Sequence, residues 1–292
     1  MTAQTWIDRT RDLLLSGTVE AINRLNAGIN SSASTLVTEF ATGPIVAGSI
    51  MEIGTELMYV TSVSGTTVGV MRGYGGSVAA AHSTADIIRS TPAFPSNMIL
   101  DALNDDLNDL SARGMYQMST KTFTYTSGTD GYDLASNALG VHRVTYTDPG
   151  TDKSEPEVRR WTIRRNRDTA TFASGVALVL QDIPTSGQTV RVEYKAPFTT
   201  LTSAASTLSS TGLHTEGYDL PPLGAALALM SFKPIQRESI THQAPVRRSE
   251  EVPSGAISAS MRDLRFRRDQ RISAEASRLS QLYPTTWLRS GE

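Results

Sequence analysis

The chain has no cysteine among its 292 residues. That excludes disulfides, thiolate zinc sites and cysteine nucleophiles, and it suits a protein made in a reducing cytoplasm. The four histidines, His82, His142, His214 and His242, are scattered and fall in no HExxH or comparable ligand spacing. There is no GxSxG elbow, no dinucleotide fingerprint after a strand and no Walker lysine. An uncharged apolar run long enough to span a bilayer is also missing. The N-terminal MTAQTWIDRTRDLLLSG interleaves acids and arginines with apolar residues, so it lacks the continuous apolar core of a signal peptide. These absences point away from an enzyme: no catalytic residue, cofactor or metal site is expected, and no membrane contact.

Net charge is also small, since 27 Lys/Arg and 29 Asp/Glu nearly cancel to −2. It is unevenly placed: residues 1–113 carry 6 Lys/Arg and 11 Asp/Glu, residues 114–199 carry 10 and 9, and residues 200–292 carry 11 and 9. Such an imbalance suits the opposite ends of a polar particle. It is too weak for tight phosphate binding, which shows as a clear basic excess.

The pattern predicts an α+β protein: a helical bundle with a small antiparallel β module, an inserted all-β domain of sandwich or barrel type, and an extended C-terminal arm ending in a long helix. Four segments follow: N-terminal helices plus the β module over 1–113, the all-β insert over 114–199, a helical return over 200–232, and the arm with its helix over 233–292. Helices are expected at Thr5–Ser16, Val19–Leu25, Pro95–Leu110, Leu201–Ser210, Leu223–Phe232 and from Ser254 to about Leu282. In the third, Ile99, Leu103, Leu107 and Leu110 form the apolar stripe, and Asp101, Asp105, Asp106 and Asp109 read as a solvated face. Strands of the insert are expected at Lys121–Thr126, Val141–Thr147, Val158–Arg164, Thr169–Ala173, Val176–Leu180 and Thr189–Tyr194, with turn residues between them. Trp161, set among arginines, has two readings, a binding aromatic or a core residue on a strand whose opposite face is basic, and the second is preferred.

Two stretches suggest interfaces. The helix around Leu223–Phe232 is small and apolar all round, so Ala225, Ala226, Ala228 and Leu229 are candidates for close subunit packing. Near the C-terminus, Ile257, Met261, Leu264, Ile272, Ala276, Leu279 and Tyr283 trace a stripe interrupted by Arg268, with Arg262, Arg265, Arg267, Arg271 and Arg278 around it. A helix of this kind docks in a partner's groove, packs on its own chain or faces DNA. Asp263, Asp269 and Glu275 dilute its charge and count against DNA. The expected partner-binding residues are Arg262, Arg265, Arg271, Arg278, Leu264, Ile272, Leu279 and Tyr283.

The most informative stretch runs from Ile50 to Arg89. Glu56–Val63, a turn at Ser64-Gly65, and Thr66–Arg72 read as a β-hairpin. Gly73, Gly75 and Gly76 then supply positive φ where the chain turns away. Gly73-Tyr-Gly-Gly lacks the Lys-Ser/Thr of a phosphate loop. Met51, Ile53-Gly54, Glu56 to Val60, Val63, Gly65-Thr66-Thr67, Val70, Arg72-Gly73-Tyr74, Gly76 and Ala79-Ala80-Ala81-His82 together resemble a segment recurrent in neck proteins of tailed bacteriophages, the head-to-tail connector or adaptor proteins. The resemblance covers about forty residues. It implies a virion structural protein that forms a ring, commonly of twelve copies, beneath the portal and joins the DNA-filled head to the next neck, stopper or tail protein. It further implies assembly in the host cytoplasm and DNA passing through the ring without specific binding. The alternatives are a tail or baseplate protein whose β domain recognises a host surface, and a small hydrolase with a carboxylate pair assembled in three dimensions.

Overall fold

The computed structural model describes residues 1–15, 20–147, 155–182, 184–232 and 256–284. The arm expected over 233–253 lies outside them. The chain divides into two compact units, Met1–Leu107 with Thr200–Arg271, and Asn108–Thr199 with Ile272–Glu292. The fold is mixed α+β, with four α-helices among the described residues and all strand pairing antiparallel. None of these helices is long and apolar enough to cross a membrane.

In the first unit six strands form one curled sheet, a half-barrel: β1 (Ile22–Arg24), β2 (Thr35–Val37), β3 (Ile50–Ile53), β4 (Glu56–Ser64), β5 (Thr67–Met71) and β6 (Ile87–Ser90). Their order across the sheet is β1-β6-β3-β4-β5-β2. The two outer strands meet through a single bridge, Leu25 to Thr38, which accounts for the curl. Leu25, Leu36, Ile45, Met51, Ile53, Met58, Val60, Val68, Val70 and Ile88 fill the interior. Each fully buried side chain of this size contributes about 1.5–3 kcal/mol, so this cluster dominates the module's stability.

Helix α1 (Ala3–Leu15) buries Trp6, Ile7, Thr10 and Arg11, and α2 (Ser96–Ala112) begins in this unit. Helix α3 (Leu220–Phe232) carries Pro221 and Pro222 in its first turn, where a missing N–H costs nothing. Trp6 meets Tyr218 edge-on at 5.5 Å.

The second unit holds two three-stranded sheets, ordered β7-β12-β9 and β10-β11-β8, from β7 (Gln117–Thr124), β8 (Tyr132–Asp133), β9 (Gly140–Thr147), β10 (Trp161–Arg164), β11 (Ala177–Leu180) and β12 (Thr189–Ala196). They share one apolar core, including Leu134, Val144, Val158, Leu178, Val190, Val192 and Tyr194, with Trp161 packed against it. The last helix, α4 (Ala256–Leu282), ends before Pro284.

Three expected elements differ. Instead of a short helix at Val19–Leu25 the chain forms β1, because Ile22–Arg24 pair with Ile87–Arg89. Leu201–Ser210 is not helical: turns lead into a 3-10 turn at Leu208–Thr211, and Leu201 is tied by Asn104, whose Oδ1 accepts its amide at 2.7 Å. The strand expected at Thr169–Ala173 is a turn organised by Asp168, which accepts the Ala170 amide at 3.1 Å.

Candidate functional site: a carboxylate clasp and a latched helix

Within the Ile50–Arg89 stretch, Arg72, Gly73, Ala80 and His82 converge on one buried carboxylate. Glu56 opens β4 with its side chain 1% exposed. Arg72, at the end of β5, binds it with two parallel bonds, Nε to Oε1 and Nη2 to Oε2, both 2.7 Å. Oε1 also accepts the Gly73 amide at 3.1 Å; Oε2 accepts the Ala80 amide at 3.0 Å and His82 Nε2 at 2.9 Å. Gly73 reaches this position with φ of 62°, a left-handed conformation that favours glycine. Arg72 uses its remaining donors on the Asn30, Ala33 and Ala80 carbonyls. Burial alone would push the Glu56 carboxyl up; the bonds from Arg72, Ala80, His82 and Gly73 outweigh it and hold the group at about 2. The clasp fastens the Gly73–His82 loop to the half-barrel. The two Glu56 oxygens together accept five hydrogen bonds.

A second buried carboxylate caps α2. Glu52 accepts the Ser96 amide at 2.6 Å and the Ser96 hydroxyl at 2.8 Å, satisfying a donor that the first helical turn leaves open. Arg11 of α1 donates to Glu52 at 2.9 Å and to Ser96 Oγ at 2.8 Å. Burial pushes the Glu52 carboxyl above its ordinary value, even though Ser96, Arg11 and Arg89 pull the other way.

The C-terminal helix is latched to its own chain at several points. Arg268, which breaks the apolar stripe, is buried and donates to Asp106 of α2 at 2.5 Å. Gly224 of α3 lies against that same carboxylate: a Cβ there would come within 1.5 Å of Asp106 Oδ1. Asp106 is therefore not part of a solvated face, although Asp101 and Asp105 are exposed as expected. Arg271 donates to both Asp219 oxygens, at 2.9 and 3.0 Å, and to the Glu216 carbonyl at 2.7 Å. Burial would raise the Asp219 carboxyl, but Arg271 more than offsets this and holds it below its usual range.

The remaining predicted interface residues divide as follows. Arg262 and Arg265 are exposed, and Leu264 is half-buried. Arg278 pairs with the buried Glu275 one turn earlier. Ile272 and Leu279 are buried, and Tyr283 packs against Tyr116 and, edge-on, His142. Of the small-residue set, Ala225, Ala226 and Leu229 are buried within the first unit and Ala228 is exposed, so much of the close approach this helix permits is used inside the protomer.

Sequence reasoning missed Arg11, Glu52, Asp106 and the clasp around Glu56. The available signals were Gly224 in an otherwise alanine-rich helix and Arg268 in an apolar stripe. Among the described residues no group of His, Asp and Glu is placed to hold a metal. No protein-family model matches the chain, and no curated protein matches it in sequence.

Proposed function

We propose that this protein is a virion structural protein, a head-to-tail connector that forms a ring, with twelve copies expected, beneath the portal of a tailed bacteriophage. The observation that carries the reading is the clasp. Glu56, Arg72, Gly73, Ala80 and His82 all belong to the stretch resembling phage neck proteins, and they interlock into one module. The shared residues are thus those that hold a surface loop in a fixed shape, a requirement of assembly rather than of turnover. On this reading the half-barrel and helices build the ring wall, and the exposed arginines of α4, Arg262 and Arg265 among them, face the portal or the next protomer.

Each contact in such a ring can be weak, since closure makes dissociation require several contacts to break together. The host-recognition alternative has less support, because Trp161, its best aromatic, packs against the core. Electron microscopy of the protein mixed with its portal and neck neighbours tests the reading. Twelvefold density at the portal is the expected result; monomers or trimers that bind cells or glycans, with no portal-bound ring, would contradict it.

A further inference from the structure

The clasp leaves an apolar knob in water. Val78, at the tip of the Gly73–His82 loop, is 81% exposed, yet its neighbours are fixed on both sides. Ser77 Oγ accepts the Leu57 amide at 2.9 Å and donates to the Tyr74 carbonyl at 2.9 Å, while the Ala80 amide is held by Glu56. A loop so firmly held with an isopropyl group at its tip is preorganised for contact, since little conformational freedom remains to be lost on binding.

A pocket lies at the other end of the same half-barrel. About 80 Å³ in volume and lined by Ile22, Asn23, Ala41, Thr42, Pro44 and Ile45 among others, it opens beside exposed Ile22 (64%) and Phe40 (58%), with Val46 (55%) next to Ile45. Its wall is preformed: buried Asn23 donates to the Phe40 and Ala41 carbonyls at 3.1 and 3.2 Å and accepts the Phe40 amide at 3.1 Å. The registers separate the two features. Ile22 pairs with Arg89 and Met51 with Ser90 at the pocket end, whereas Arg24 pairs with Ile87, Ile53 with Glu56, and Ile29 bridges His82 at the loop end.

We propose that Val78 of one copy enters this pocket of the next, a head-to-tail contact between copies of this chain. Knob and hole at opposite ends of one module give a heterologous interface, which propagates from copy to copy and closes into a ring when the rotation permits. The inference rests on the ring reading and supplies its protomer-to-protomer contact.

The absence of native cysteine makes the test clean. In the full chain, Val78→Cys combined with Thr42→Cys under mild oxidation gives a reductant-sensitive ladder of multimers. Val78→Cys with Thr202→Cys, an exposed position away from the pocket, stops at dimers. Equal ladders from both pairs, or none from the first, would overturn the contact. In parallel, Val78→Asp keeps the wild-type melting temperature, because residue 78 is 81% exposed in the protomer, and weakens self-association by at least about tenfold in sedimentation. Portal-bound rings that persist undiminished with Val78→Asp overturn the contact while leaving the ring reading standing. The first-pair ladder without portal-bound rings supports the contact and sinks the ring reading.

Discussion

Replacing Glu56 by Gln keeps the size of the side chain, removes its charge and turns one of its two acceptor oxygens into a donor. The carboxyl is held at about 2 against an ordinary 4.5; at about 1.4 kcal/mol per pKa unit, the ionised form adds roughly 3 kcal/mol to folding. The folded-state value is depressed, so this contribution is complete above pH 4.5 and is lost as pH falls from there towards 2. Glu56→Gln therefore costs about 3 kcal/mol at pH 7, a fall of roughly 6–12 °C in melting temperature for a domain of this size, and the penalty shrinks steadily below pH 4.5. Thermal melts of both proteins between pH 7 and pH 2.5 read this directly. A loss under about 1 kcal/mol at pH 7, or a gap that stays constant down to pH 2.5, would refute the view that a charged Glu56 fastens the loop.

Other substitutions probe the remaining contacts. Gly224→Ala forces a methyl into the Asp106 carboxylate and is expected to cost about 3 kcal/mol or more in urea unfolding, with much of the loss recovered in Gly224→Ala combined with Asp106→Ala. Arg268→Ala leaves Asp106 buried beside α3 and is expected to destabilise the first unit by about 3–5 kcal/mol. Arg271→Ala removes the donors that hold Asp219 low, so the Asp219 carboxyl should titrate at a higher pH by NMR. Leu178→Ala opens a cavity between the two three-stranded sheets; a loss of about 2–5 kcal/mol in hydrogen-exchange protection there is expected, with the half-barrel amides unchanged.

Where local pattern decides structure, the sequence was readable. The β4–β5 hairpin, the positive-φ glycines after it, α1 through α4 and five strands of the second unit follow from alternation, helical spacing and turn residues. The charged interior was not readable, because its partners are distant along the chain. Arg11 meets Glu52 across 41 residues and Arg268 meets Asp106 across 162. Nothing local to Asp106 distinguishes it from Asp105, which faces water one position earlier. Strand β1 was missed for the same reason: three residues become a strand only because β6 lies beside them. The clasp falls in between, since its residues were singled out as a segment while the convergence of Arg72, His82 and two amides on Glu56 needed the fold.

The most direct test of the central claim is to add the purified protein to DNA-filled heads that carry a portal but no neck, and to image the vertex by electron microscopy. The account predicts a new twelvefold layer of density below the portal. A bare portal at saturating protein, or density of another symmetry, would contradict it.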